Sequence, residues 1–218
     1  NEHVMAGQGT ISLEIFEQLN NEVDTILCPI GGGGIIAGVA VAAKALNPNV
    51  KVIGVQTANI PSMQESVKNG EVTTVFHAAT IADGIAVKTP GDATFEIIKE
   101  LVDDIITVTE EEIAQGMLFL LEHQKIVSEG AGAVSTAALL SKKYQPAAGE
   151  KVVCIVSGGN VDVNTLYRVI GVGLAKEGRR YSFSTVMTDK PGGFLELIKI
   201  ISENNANILN ANQTRLSS

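Results

Sequence analysis

Four consecutive glycines, Gly31 to Gly34, stand between VDTILCPI (23–30) and IIAGVAVAAKAL (35–46). Glycine loses more backbone freedom on folding than any other residue. A run of four is therefore either a loose linker or a backbone that must come very close to something. The flanks decide between these. The first is continuous, apolar and β-branched, the pattern of a buried strand. The second reads as a helix stopped by Asn47-Pro48. A glycine turn from strand to helix presents free backbone N–H groups, and the helix N-terminus adds partial positive charge. Together they suit a phosphate.

The same alternation continues along the chain. VKVIGVQTA (50–58) reads as a strand, SMQESVKNG (62–70) as a short helix, GDATFEIIKELV (91–102) as a helix and DIITVT (104–109) as a strand. EEEIAQGMLFLLEHQ (110–124) reads as a helix, with Thr109 as N-cap and Glu112 completing a capping box. A helix over 132–144, a strand from 150 into the turn SGGNVD (157–162) and a helix over 164–176 follow. Strands alternating with helices predict an α/β fold with a parallel sheet. Beyond EGRR (177–180) the texture changes: residues 181–213 read strand, loop, helix, strand. We place a domain boundary near Gly178, giving 1–177 and 178–218. A βαβ unit of the second size buries too little to stand alone.

Three phosphate-binding readings compete for the glycines. A P-loop needs Gly-Lys-Ser/Thr, and Gly34 is followed by Ile35-Ile36. A dinucleotide fingerprint matches at Gly32, Gly34 and Ala37, but the acid expected at the end of the next strand is replaced by Gln56. The third reading is a phosphate-bearing cofactor whose chemistry lies elsewhere. The second turn, Ser157-Gly158-Gly159-Asn160, also follows a strand. In a parallel sheet both turns lie at the carboxyl ends of strands, where ligands bind. A serine hydroxyl and a phosphate cradle on one edge suit a compact ring with a phosphate arm, which is pyridoxal 5′-phosphate. A serine rather than an aspartate near the ring nitrogen makes a weaker electron sink, suited to elimination.

The net charge of −8 argues against nucleic acid or an anionic membrane as partner. Cys28 and Cys154 each lie in an apolar strand-like run, as expected of reduced thiols in a cytoplasmic protein. The stretch Ile35 to Ala43 is too short to span a bilayer. His3, His77 and His123 have no metal-ligand spacing. Asp103 and Asp104, with Glu110 to Glu112, read most simply as solvated acids near a helix start.

AGQGTISLEIFEQL (6–19), PIGGGGIIAGVA (29–40), TIADGIAVKTPGD (80–92), LVDDIITVTEEEI (101–113), SEGAGAVSTAALL (128–140) and IVSGGNVD (155–162) resemble the pyridoxal-phosphate threonine dehydratases of the tryptophan-synthase-β-like fold. The likeness runs in order from about Val4 to Lys176. TDKPGGFLELIKIISENNANIL (188–209) resembles the start of an ACT domain, a ferredoxin-like regulatory module. By this resemblance Gly31, Gly32, Gly33 and Gly34 cradle the phosphate with the amide of Ile35 beside them. Ser157 hydrogen-bonds the pyridine nitrogen, Glu129 lies near the ring and Gly84 supplies backbone beside it. On the residues alone Glu129 reads equally as an ordinary helix-start carboxylate. Asp189, Pro191, Gly192 and Gly193 would form an effector-binding turn, for which the plainer reading is a proline setting the helix start. ACT units pair, so a homo-oligomer is expected.

Two departures accompany the resemblance. The family's cofactor-binding lysine lies in a Ser-x-Lys-x-Arg-Gly-Ala-type motif. Ser66-Val67-Lys68 and Ser141-Lys142-Lys143 match only its opening, and both read as surface sequence. No catalytic lysine is therefore assigned, and the chain reads as the back half of the enzyme, inactive alone. Serine-racemase-like relatives hold a divalent cation with carboxylates where Gln56, Ile60 and Ser62 stand, so no metal is expected there. The resemblance implies conversion of L-threonine to 2-oxobutanoate and ammonia, with effector control. The alternatives are a serine dehydratase or racemase, or a non-catalytic regulatory fragment.

Overall fold

The computed structural model describes residues 1–76 and 78–214 and divides the chain into two units, the second beginning at Tyr181. The first unit is built on four parallel strands in the order β3-β2-β1-β4. These are β1 Thr25–Pro29, β2 Lys51–Thr57, β3 Asp104–Val108 and β4 Val152–Cys154. Thr25 pairs with Lys51 on one side and Val152 on the other, so β1 lies centrally and all its residues are buried. A strand buried on both faces needs apolar side chains in both directions, which TILCP provides. Ile26 and Cys28 face one core with Val52, Phe95 and Ile98, while Leu27 faces the other with Val55, Ile113 and Val134.

The helices follow in chain order: α1 Glu2–Gln18, α2 Gly34–Leu46, α3 Ser62–Asn69, α4 Asp92–Leu101, α5 Glu110–Phe119, α6 Gly130–Leu140 and α7 Val163–Lys176. α5 starts as its capping box predicts: the Glu112 amide donates to Thr109 Oγ1 at 3.3 Å and the Thr109 amide to Glu112 Oε2 at 2.8 Å. It does not run unbroken to Gln124. A π-helical turn over Leu120–Gln124 ends at Lys125 in the left-handed region.

α1 is an element that spacing alone did not suggest. It buries Met5, Gly9, Ser12 and Phe16 against α2. The crossing is close because Gly9 and Gly38 meet: a Cβ on Gly38 would lie 2.1 Å from the Met5 carbonyl oxygen. Gly9 and Ser12 send no apolar signal, which is why the face was illegible.

The second unit contains α8, Gly193–Glu203. The strands expected on either side of it do not form among the described residues. Tyr181, Phe183 and Val186 are exposed, and no α8 residue is buried. Alternation equips a segment for a sheet, but its N–H and C=O groups need a partner strand to become one. Of the expected second domain, 215–218 lie outside the described residues. No helix among the described residues is long and apolar enough to cross a membrane.

Candidate cofactor site

With the order β3-β2-β1-β4, the chain leaves β1 towards β2 on one side and reaches β4 on the other. The gap beyond the carboxyl ends of β1 and β4 is thus a switch point, where open parallel sheets bind ligands. Both glycine turns open there. Gly31 to Gly34 follow β1, and Ser157 to Gly159 follow β4.

The first turn is shaped by its neighbours. Gly33, at φ +90°, is the N-cap of α2. A Cβ there would lie 2.7 Å from Ile98 Cδ1 and 2.9 Å from Thr94 Cβ. Gly32 and Gly34 would meet nothing within 4 Å. The Gly32 carbonyl accepts from Thr94 Oγ1 at 2.6 Å, which holds the turn from behind. No side chain caps α2, and the six amides from Gly31 to Ile36 donate to no acceptor among the described residues. Helix termini ordinarily settle such groups with a cap, water or ligand. Here Gly31 to Ile35 border a cavity of about 200 Å³ that is also lined by Gly84 and, from α1, Val4 and Gln8.

The other expected residues adjoin this turn through close backbone approaches. A Cβ on Gly31 would lie 3.5 Å from the Gly84 carbonyl oxygen, and one on Gly84 would lie 3.8 Å from Glu129 Oε1. The Glu129 amide donates to the Gly158 carbonyl at 3.1 Å, and a Cβ on Gly158 would collide with the Glu129 carboxylate. Gly31, Gly84, Glu129 and Gly158 thus form a continuous line, with Ser157 exposed at its end. Glu129 precedes α6 but makes no side-chain cap bond, so the helix-start role does not account for its carboxylate.

Residues missed by spacing complete the setting, Thr94 and Gln8 first among them. Asp103 and Glu110 are not simply solvated: Asp103 accepts from Lys44 Nζ and the Val52 amide, and Glu110 from Thr57 Oγ1 and the Ile81 amide. These bonds bridge long sequence separations, invisible to local pattern. Lys68 and Lys143, the lysines of the two partial motif matches, are exposed. Gln56 is fully buried, accepting from the Gln64 amide and donating to the Ile30 carbonyl, and Ser62 donates to the Val87 carbonyl. Among the described residues no three His, Cys, Asp or Glu side chains gather as metal ligands, and His77 lies outside them. Cys28 and Cys154 are free. Burial raises both thiols, that of Cys154 to about 12, so neither offers a thiolate nucleophile.

The residues expected to bind an effector, Asp189, Pro191, Gly192 and Gly193, lie at the start of α8. Gly192, at φ +87°, is its N-cap, and the Gly193 amide donates to the Lys190 carbonyl at 3.2 Å.

The fit to a phosphate-bearing cofactor therefore rests on open amides, an uncapped helix and a Glu129 carboxylate left unpaired among the described residues. Comparison with known proteins agrees. The model of the family described as pyridoxal-phosphate dependent enzyme matches residues 1–158. The L-threonine ammonia-lyase of Thermotoga maritima is 52% identical over 213 residues, 98% of this chain and 52% of the relative. Among solved structures, a threonine deaminase from T.th. superposes with a TM-score of 0.69 at 35% identity, over 72% of this chain and 57% of that one. Maize serine racemase gives 0.70 at 39% identity, over 80% and 54%. The chain spans about half the length of the curated relatives it matches. On the family match and the parallel architecture together, the chain belongs to the pyridoxal-phosphate dependent enzymes.

Proposed function

We propose that this chain supplies the phosphate cradle and ring-side backbone of a threonine ammonia-lyase, which converts L-threonine to 2-oxobutanoate and ammonia. The observation that carries the reading is the set of six amides from Gly31 to Ile36 facing no acceptor at the uncapped start of α2. These amides would hold the cofactor phosphate, with the helix dipole favouring its charge. Gly84 and Glu129 would flank the ring, and the Ser157 hydroxyl would hydrogen-bond its nitrogen. Pyridoxal phosphate, when bound, supplies the electron sink through which an amino acid loses its α-proton. A neutral hydroxyl at the ring nitrogen keeps that sink modest, which suits β-elimination. The lysine that takes the proton is assigned to none of the residues of this chain.

Threonine is preferred over serine racemisation on two grounds. The curated relatives at about half identity are named as threonine enzymes. At Gln56, Ile60 and Ser62, which the resemblance sets where serine-racemase-like relatives hold a cation, this chain has two side chains tied to neighbouring backbone and one buried apolar one. Effector control through the Asp189–Gly193 turn and pairing of the second units belong to the same reading. The match to the relative from Thermotoga maritima extends over most of that unit. Free thiols suit a reducing cytoplasm.

The test is titration with pyridoxal phosphate against pyridoxal, followed by borohydride reduction and mapping of any labelled lysine. Saturable binding that needs the phosphate, with no single labelled lysine, is expected. Equal affinity for both compounds would overturn the cradle. Stoichiometric labelling at one lysine with threonine-dependent ammonia release would overturn the assignment of no catalytic lysine here.

A further inference from the structure

We infer that Glu110, remote from the cradle in sequence, is a positioning residue that holds the Ile81–Gly84 segment against it; the inference rests on the cofactor reading above. Glu110 opens α5 directly beyond β3. Its two carboxylate oxygens are divided between two chain segments. Oε1 accepts from Thr57 Oγ1 at 3.1 Å, at the end of β2, and Oε2 from the Ile81 amide at 2.7 Å. The tie is reinforced on each side. Thr80 Oγ1 donates to Thr57 Oγ1 at 3.3 Å and accepts from the Ala82 amide at 3.1 Å, while Asn59 Nδ2 donates to the Ala79 carbonyl at 2.6 Å.

The held segment has no regular structure before the single 3₁₀ turn Asp83–Ile85. Its placement is nevertheless narrow. A Cβ on Gly130 would lie 2.2 Å from the Ile81 carbonyl oxygen, so α6 is packed directly on it. Further along, Ile85 Cα would lie 3.0 Å from a Cβ on Gly31. A shift of the segment by a few tenths of an ångström would move Gly84 relative to both Gly31 and Glu129. The carboxylate therefore sets the spacing between the cradle and the ring-side backbone without facing the cavity itself. Its place in the first turn of α5 suits its charge, but that alone would not require two bonds to other segments. Glu112, in the same turn, closes the capping box instead.

Amide hydrogen exchange and pyridoxal phosphate titration test this on the chain as it stands. Glu110→Ala is expected to speed exchange at Ile81 and Ala82 by about tenfold or more, the change that follows loss of a hydrogen bond to a carboxylate. It is also expected to weaken pyridoxal phosphate severalfold. Glu110→Gln keeps an acceptor for Ile81, and its amide can donate to the Thr57 hydroxyl, so it should restore both readouts. Glu112→Ala should affect the start of α5 only. Unchanged exchange at 81–82 in Glu110→Ala, or an equal change in Glu112→Ala, would overturn the inference. So would faster exchange with undiminished affinity. If the unsubstituted chain fails to bind pyridoxal phosphate, the cofactor reading falls, and the exchange arm still decides whether Glu110 holds the segment.

Discussion

Gly33 and Gly32 are neighbours in one turn, yet alanine should harm them differently. At Gly33 the backbone has φ +90°. An L-residue in that region loses about 1–2 kcal/mol. The added Cβ would lie 2.7 Å from Ile98 Cδ1, 2.9 Å from Thr94 Cβ and 3.0 Å from Met63 Cε. All three neighbours belong to tightly packed helices, and overpacking of this kind destabilises by about 1–3 kcal/mol. The ends of Ile98 and Met63 can yield, so the lower part of that range applies and the total is about 2–4 kcal/mol. For a domain of this size that lowers the melting temperature by roughly 5–15 °C. At Gly32 the Cβ would meet nothing within 4 Å and would point into open space at the cavity. Stability should change by no more than about 0.5 kcal/mol, while pyridoxal phosphate binding should fall by an order of magnitude or more. Thermal melts and cofactor titrations of the two variants make the comparison. A Gly33→Ala protein that melts with the unsubstituted chain would refute the packing argument. A Gly32→Ala protein of normal affinity would refute the cradle.

Two further outcomes follow from single contacts. Thr94→Val keeps the shape but deletes the bond to the Gly32 carbonyl; urea unfolding should show a loss of about 1 kcal/mol, and cofactor affinity should weaken with it. Glu150 is held well below the usual carboxylate range, at about 2, by hydrogen bonds from Thr25, Tyr144 and the Ala147 amide. A depressed carboxylate stabilises the fold above its unfolded value near 4.5, and that contribution disappears as pH falls towards 2. Urea midpoints of the unsubstituted chain and Glu150→Gln should therefore converge between about pH 5 and pH 2; a constant difference would rule out this linkage.

The central strand, the glycine turn and α2 were legible because they are adjacent in sequence and strongly patterned. The same holds for the Thr109 cap, whose signal spans four residues. What was illegible is long-range. Glu110 meets Thr57 and Ile81 across the fold, and no local spacing marks a carboxylate for that use. Thr94 stands in the first turn of α4, where nothing local marks its bond to the Gly32 carbonyl 62 positions away. α1 was hidden because Gly9 and Ser12 interrupt the apolar signal of Met5 and Phe16 on its buried face. In the second unit the pattern led the other way, since residues 181–188 alternate as a strand would but find no sheet among the described residues.

The pairing of β1 with β4 also has a consequence for assembly. The Lys151 amide donates to Asp24 across 127 positions, and the strands join just beyond it. Contacts so distant in sequence close late, because the intervening chain must first lose its freedom. The glycine turn needs Thr94, 62 positions further on, whereas the serine turn arrives only when β4 docks across 127. A ligand touching both turns would therefore favour the finished sheet over every partly folded form, making the cofactor a check on completion of the fold.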